Sequence, residues 1–230
     1  MSETTATSQA QAGALYRLLA WLVTLLMPVA IVLVTVRLFL SPLFLPFEYN
    51  RPGFPADPYG FTTQERMHWA RLTLDYMYNS ADISFLEDLH FEDGTPIYNE
   101  RELSHMVDVK LVFQGALTVL WVSLAVLLLL GLWAWRGGWL ETYRRGVVRG
   151  AWLTVLLLAS ILALVVLTFG VFFVAFHNVF FAAGTWTFLY SDTLIRLFPE
   201  QLWQDLFLAI GAVSVLLGLL IAFLFRRPLK

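Results

Sequence analysis

The chain has 230 residues, no cysteine and a net charge of -2, and 59% of it is apolar against 14% charged. Its mean hydropathy is +0.70. The missing cysteines exclude disulfides, thiolate chemistry and cysteine-type zinc sites, and four apolar runs each exceed the roughly 18 residues that argue for a membrane-spanning helix. The expected fold is therefore all-α, a polytopic membrane protein with four transmembrane helices. An extracytoplasmic, partly helical cap fills the loop between helices 1 and 2. Residues 15–230 form one membrane domain behind a tail at 1–14, and no nucleic-acid partner is expected.

In chain order, Met1 to Ala14 is rich in Ser, Thr, Ala and Gln without apolar periodicity, which reads as a disordered cytoplasmic tail. The first span covers about 18–40, with Pro28 as a possible kink and Arg37 near its end, and it reads as a retained anchor. The loop at 41–110 opens with Pro42, Pro46, Pro52, Pro55 and Pro58 and so starts irregularly. A helix is predicted over Thr62 to Asn79, with Thr63 as its cap, packed over the outer mouth of the spans. The acidic stretch Phe85 to Pro96 turns at Asp93-Gly94-Thr95-Pro96.

From Tyr98 a polar segment runs without Pro or Gly into the second span at about 111–135. Asn99 is suited to cap this helix, with Glu102 three residues on closing a capping box. His105 and Asp108 share a face at i and i+3. His105 then stands about 9 Å above Leu111, where the hydrocarbon begins. A short basic turn with Arg136, Arg144, Arg145 and Arg149 leads to the third span at about 151–176, and an aromatic loop from His177 to Asp205 leads to the fourth at about 206–225. Ser214 and Gly218 form a small-xxx-small pair too isolated to specify a dimer.

The cations set the orientation. Residues 41–110 hold five cations against twelve acids, whereas the turn after span two and the C-terminus are basic, so both termini are expected in the cytoplasm. His105 and His177 then share one extracytoplasmic layer. With Asp108 they also make a two-histidine, one-carboxylate set, but no HExxH or comparable ligand spacing supports a metal, and none is expected, nor is a cofactor. Spans two to four contain no ionisable residue, which argues against a transporter. His68 and His90 read as ordinary loop histidines.

Glu102-Leu103-Ser104-His105-Met106-Val107-Asp108-Val109-Lys110, Phe176-His177-Asn178-Val179-Phe180-Phe181, Trp186-Thr187-Phe188 and Asp192-Thr193-Leu194-Ile195-Arg196-Leu197-Phe198-Pro199-Glu200 together resemble the motifs of the lipoprotein intramolecular transacylase (Lit) family of bacterial four-span membrane proteins. The resemblance runs from span one to span four. It implies that His105 and His177 are catalytic, and that the substrates are diacylglyceryl-modified lipoproteins met in the cell membrane. It implies transfer of the sn-2 acyl chain from the glyceryl group to the α-amine of the same cysteine. Having no cysteine, the chain is not itself such a lipoprotein.

An imidazole with pKa near 6.5 is suited to take the proton that an α-amine of pKa about 7.7 to 8.0 loses on attacking an ester. No nucleophilic serine elbow is present or required. The expected assignment is His177 as base and His105 as acid, with the reverse equally open in the sequence, and Asp108 either orients His105 or pairs with Arg101 or Lys110. Arg101, Tyr98 and Asn178 are candidates for supporting or oxyanion contacts. A lipid-ester hydrolase using the same two histidines, and a catalytically silent accessory protein, are the competing readings.

Overall fold

A computed structural model describes residues 2–226, with side chains from Ala12 onward. The helices are α1 (Ser2–Phe39), α2 (Phe44–Tyr49), α3 (Thr63–Tyr78), α4 (Ser84–Glu87), α5 (Glu100–Arg136), α6 (Leu140–Phe180), α7 (Thr193–Leu197) and α8 (Glu200–Phe225). Among the described residues the only extended pairing is an isolated bridge between His90 and Pro96. It closes the acidic turn through Phe91 N–H to the Thr95 carbonyl at 2.8 Å.

Four helices are long and apolar enough to cross a bilayer: Ala12–Phe39 of α1, α5, α6 and α8. At 1.5 Å per residue α5 and α6 run about 55 and 60 Å, against a hydrocarbon core of about 30 Å, so their ends stand outside it. Their apolar side chains, among them Leu111, Trp121, Leu128, Leu129, Leu156 and Leu167, are exposed. Lipid tails are the solvent such a surface requires. The protein is a multi-pass membrane protein.

Several boundaries differ from those read in the sequence. Residues Ser2 to Ala14, expected as a disordered tail, continue α1, because Ala and Gln are good helix formers and no proline interrupts them. The basic turn after span two is only Gly137 to Trp139; Gly138 takes φ 74° there, and Arg144, Arg145 and Arg149 already lie in α6. The helix of span four begins at Glu200 instead of Leu206, directly after Pro199. Inside α6, Thr168 leaves helical geometry at φ -147° and ψ 50° and kinks the helix.

The chain divides into two compact units. The first comprises Met1–Thr35, Thr118–Leu162 and Ile210–Lys230. It is built on close backbone approach. Gly146 and Gly150, one turn apart on α6, face Ala20, Thr24 and Met27 of α1 so closely that a Cβ on Gly146 would sit 2.5 Å from the Ala20 carbonyl oxygen. Thr24 Oγ1 donates to the Ala20 carbonyl at 2.8 Å and lies 3.2 Å from that of Gly146, and Val23, Met27, Ile31, Leu127 and Val147 fill the core. The Ser214/Gly218 pair serves the same internal packing. Ser214 Oγ is 2.8 Å from Thr35 Oγ1, and a Cβ on Gly218 would meet the Ala151 carbonyl at 3.1 Å. Arg144 donates to the Phe225 carbonyl at 2.8 Å, satisfying the last turn of α8.

The second unit comprises Val36–Leu117 and Ala163–Ala209. Its core joins α3 to the start of α5 and to α7 through Ala70, Leu74, Tyr76, Met77, Met106, Phe113, Leu194 and Leu197. The cap of α3 is Thr62, not Thr63: its hydroxyl accepts from Glu65 N–H while the Glu65 carboxylate takes the Thr62 N–H at 2.7 Å. Arg66, 3% exposed, donates to the carbonyls of Arg196 at 2.9 Å and Pro55 at 2.7 Å, and its guanidinium lies over Tyr49 and Phe54. Arg196 pairs with Asp57 at 2.9 Å and stacks on Phe61. Burial works against the Asp57 carboxylate, but the Arg196 guanidinium and the Phe61 N–H outweigh it and hold its pKa below the ordinary carboxylate range. Charges thus tie the proline-rich start of the loop to α3 and α7.

Candidate active site

The site begins with the cap of α5. Asn99 Oδ1 accepts from Glu102 N–H at 3.1 Å, and Glu102 Oε2 accepts from Asn99 N–H at 2.8 Å, the reciprocal pair expected from the sequence. Glu102 is 1% exposed, and its second oxygen takes the Leu194 N–H of α7 at 2.7 Å. One carboxylate therefore starts α5 and docks the end of the aromatic loop. Asp192, just before α7, completes the join. It accepts from Arg101 at 2.7 Å, from Leu189 N–H at 2.8 Å and from Asn99 at 3.3 Å.

These contacts place the Phe188 ring against His105. His105 is buried, and its ring meets Phe181 edge-on at 4.8 Å between centroids and Phe188 at 5.3 Å. Its Nδ1 is buried without a hydrogen-bond partner among the described residues. His177 lies near the end of α6. Its Nδ1 donates to the Phe173 carbonyl at 2.8 Å, which fixes the proton there and leaves Nε2 with a free lone pair. The ring packs on Phe173 at 4.0 Å, on Trp186 at 4.7 Å and on Phe181 at 5.7 Å. Phe181 thus touches both imidazoles. Both belong to one aromatic enclosure.

The other expected residues are distributed differently. Asp108 makes no hydrogen bond to His105, and it pairs with neither Arg101 nor Lys110. At i and i+3 the two share a helix face, but the His105 ring turns into the aromatic rings. Arg101 is held by Asp192 and lies over Phe188 at 5.7 Å, next to the His105 environment. Tyr98 is taken out of the site. It is 3% exposed, and its hydroxyl is 2.6 Å from Thr73 Oγ1, which itself lies 2.8 Å from the Trp69 carbonyl. Burial also pushes the Tyr98 hydroxyl pKa up. Asn178 is exposed beside His177. His68 packs on Trp69 and His90 sits 3.0 Å from the Asp88 carbonyl, both exposed.

Two residues carry more of the site than the sequence reading gave them. Asp192 stands in the sequence only within a motif, and as the single acid between Glu141 and Glu200 it offers no spacing signal. Trp186 likewise stands in the sequence only as part of an aromatic motif, yet its ring packs on His177, and its Nε1 is buried with no acceptor among the described residues. A buried N–H left without a partner costs about 1–3 kcal/mol. No group of three or more His, Asp or Glu side chains among the described residues is placed to hold a metal ion.

Four apolar helices, with two imidazoles enclosed by aromatic rings near the ends of two of them, define an all-helical polytopic membrane protein with a paired-histidine site. The chain belongs to the Lit family: the family model described as lipoprotein intramolecular transacylase Lit matches residues 19–203. That family is one of acyltransferases. A solved structure of lipoprotein intramolecular transacylase Lit from Bacillus cereus superposes with a TM-score of 0.78 at 20% identity, over 93% of this chain and 95% of that one. A second structure of the same protein, carrying a histidine-to-arginine mutation, gives 0.70 at 16% identity over 96% and 95%. An uncharacterised protein of Aquifex aeolicus (strain VF5) is 29% identical over 216 residues, 90% of this chain and 93% of that one.

Proposed function

We propose that the chain is a lipoprotein intramolecular transacylase in which His177 and His105 move the protons. The substrate is a lipoprotein whose N-terminal cysteine carries a diacylglyceryl group. Its α-amine attacks the sn-2 ester carbonyl and gives its proton to Nε2 of His177. The C–N bond forms, the bond from the carbonyl carbon to the glycerol oxygen breaks, and His105 supplies a proton to that oxygen. The amine has then lost one proton to His177 and the glycerol oxygen has gained one from His105, and passage of the proton on His177 to His105 restores both rings. The products are an N-acyl cysteine and a free sn-2 hydroxyl on the same molecule. No covalent enzyme intermediate is needed, and because both reacting groups belong to one bound molecule, positioning supplies up to about 7–11 kcal/mol of the barrier.

The observation that carries this reading is the Nδ1 hydrogen bond of His177 to the Phe173 carbonyl at 2.8 Å. It presents Nε2 as a base without help from a carboxylate. The rings of Phe173, Phe176, Phe181 and Trp186 around His177 offer an apolar surface suited to acyl chains beside the base. Arg136, Arg144, Arg145 and Arg149 support cytoplasmic termini and an extracytoplasmic site.

Tandem mass spectrometry of the N-terminal lipopeptide of a reporter lipoprotein, from a host that makes only the diacyl form, tests the proposal. With the wild-type protein the intact mass stays constant while an N-acyl fragment appears, and the His105→Ala and His177→Ala variants lack that fragment. Loss of a whole acyl chain would instead mean hydrolysis, and no change at all would favour an accessory role.

A further inference from the structure

We infer that Trp186 is a catalytic residue of this site, its indole Nε1–H donating a hydrogen bond to the carbonyl oxygen of the sn-2 ester as that oxygen gains negative charge. The inference rests on the transacylase reading above. Attack by the amine turns the carbonyl into a tetrahedral centre whose oxygen carries the electron pair displaced from the C=O bond, and such an oxyanion needs a preorganised donor. The donors first suggested by the sequence are poorly suited. Tyr98 is bound within the α3 packing at Thr73, Arg101 is paired with Asp192, and Asn178 points to the exposed side of α6. Trp186 alone stands on the base itself. Its ring packs on His177 at 4.7 Å between centroids and 34° between planes, and lies 6.5 Å from the ring of Phe173, whose carbonyl accepts the His177 Nδ1 hydrogen bond.

The second observation is the state of its polar atom. Among the described residues Trp186 Nε1 is buried without an acceptor, and His105 Nδ1 in the same enclosure is also buried without a hydrogen-bond partner. Indole N–H groups are donors only, so a ligand that satisfies this one must bring an acceptor oxygen, which the ester carbonyl does. Gly184 turns the loop carrying the ring at φ 85°, and Ala182, Ala183, Gly184, Thr187 and Leu189 around Trp186 are exposed, so the indole stands at the rim of the aromatic enclosure. The charge on the oxygen collapses back to C=O as the glycerol oxygen leaves, and the indole keeps its proton throughout.

Purified wild-type protein, Trp186→Phe, His177→Ala and His105→Ala are assayed in lipid nanodiscs on a synthetic diacylglyceryl-cysteine lipopeptide. Trp186→Phe keeps the aromatic contact with His177 and loses only the donor, and kcat should fall by about 10²–10³ with KM changed less than threefold. If Trp186→Phe does not fold, incorporation of 3-benzothienylalanine at position 186, isosteric with tryptophan but with sulfur in place of N–H, gives the same test. Retention of more than half the wild-type kcat by the donor-free variant, while the histidine variants are inactive, overturns the role of Trp186 alone. Full activity in His177→Ala and His105→Ala overturns the underlying reading instead.

Discussion

The two units are held together by different physics. The first is packed by small residues, with Gly146, Gly150 and Gly218 bringing helix backbones into contact, and its buried polar atoms are mostly hydroxyls that return to nearby carbonyls. In the second, guanidinium and carboxylate groups such as Arg66, Arg196, Asp57, Glu102 and Asp192 cross-link short helices and loops around large aromatic rings. Within lipid, apolar tails offer no hydrophobic drive between helices, so close packing has to supply the cohesion. Where the chain is irregular, directed hydrogen bonds fix it. The difference teaches where function is free to reside: polar cross-links hold individual rings at fixed places, and the histidines are among them.

The comparison is broken most severely in the first unit. Gly146→Leu places a Cβ 2.5 Å from the Ala20 carbonyl oxygen, a backbone atom that cannot move aside. We expect loss of most folded protein on detergent extraction, an overpacking cost of about 3 kcal/mol or more, read as yield and melting temperature. His177→Ala should do the opposite. It leaves the melting temperature within a few degrees and lowers kcat by about 10²–10⁴, the span typical of a positioned general base.

Smaller effects sharpen the account of the polar unit. Asp192→Ala removes the acceptor of Arg101, Asn99 and the Leu189 N–H. It should cost about 1–2 kcal/mol and speed proteolytic cleavage between residues 181 and 192, followed by peptide mapping. Thr62→Ala breaks the capping box of α3 and should cost about 1 kcal/mol without changing kcat, measured as a melting shift. Because Arg196 holds the Asp57 carboxylate below its ordinary pKa, its contribution is present above that ordinary value and is lost as pH falls through the lowered one. Melting temperature followed from pH 6 to pH 3 should therefore fall less steeply in Asp57→Asn than in the wild type.

Much of the fold was legible because its signals are local. The four apolar runs, the Asn99/Glu102 capping box and the turn at Gly94 each depend on residues a few positions apart. The α3 cap was misplaced by one residue because Thr62 and Thr63 are chemically alike, and only the Glu65 contact separates them. The Gly146 and Gly150 contact with α1 was missed, since a glycine pair in a helix says nothing of the partner more than 100 residues away. In the site, the histidines were named from motifs, but their surroundings were not. Asp108 is adjacent to His105 in helical spacing but makes no hydrogen bond to it, whereas Asp192, about 90 residues on, is what secures the neighbouring rings. Side-chain direction at the end of a helix is decided by distant packing.

The central claim is that an imidazole at position 177 acts as the base. Chemical rescue tests it most directly: the rate of N-acyl lipopeptide formation by His177→Ala in nanodiscs, with and without added imidazole. The account predicts a rate at least 100-fold below wild type that rises severalfold with imidazole, while the wild type is unaffected. A wild-type rate in the variant without imidazole would contradict it.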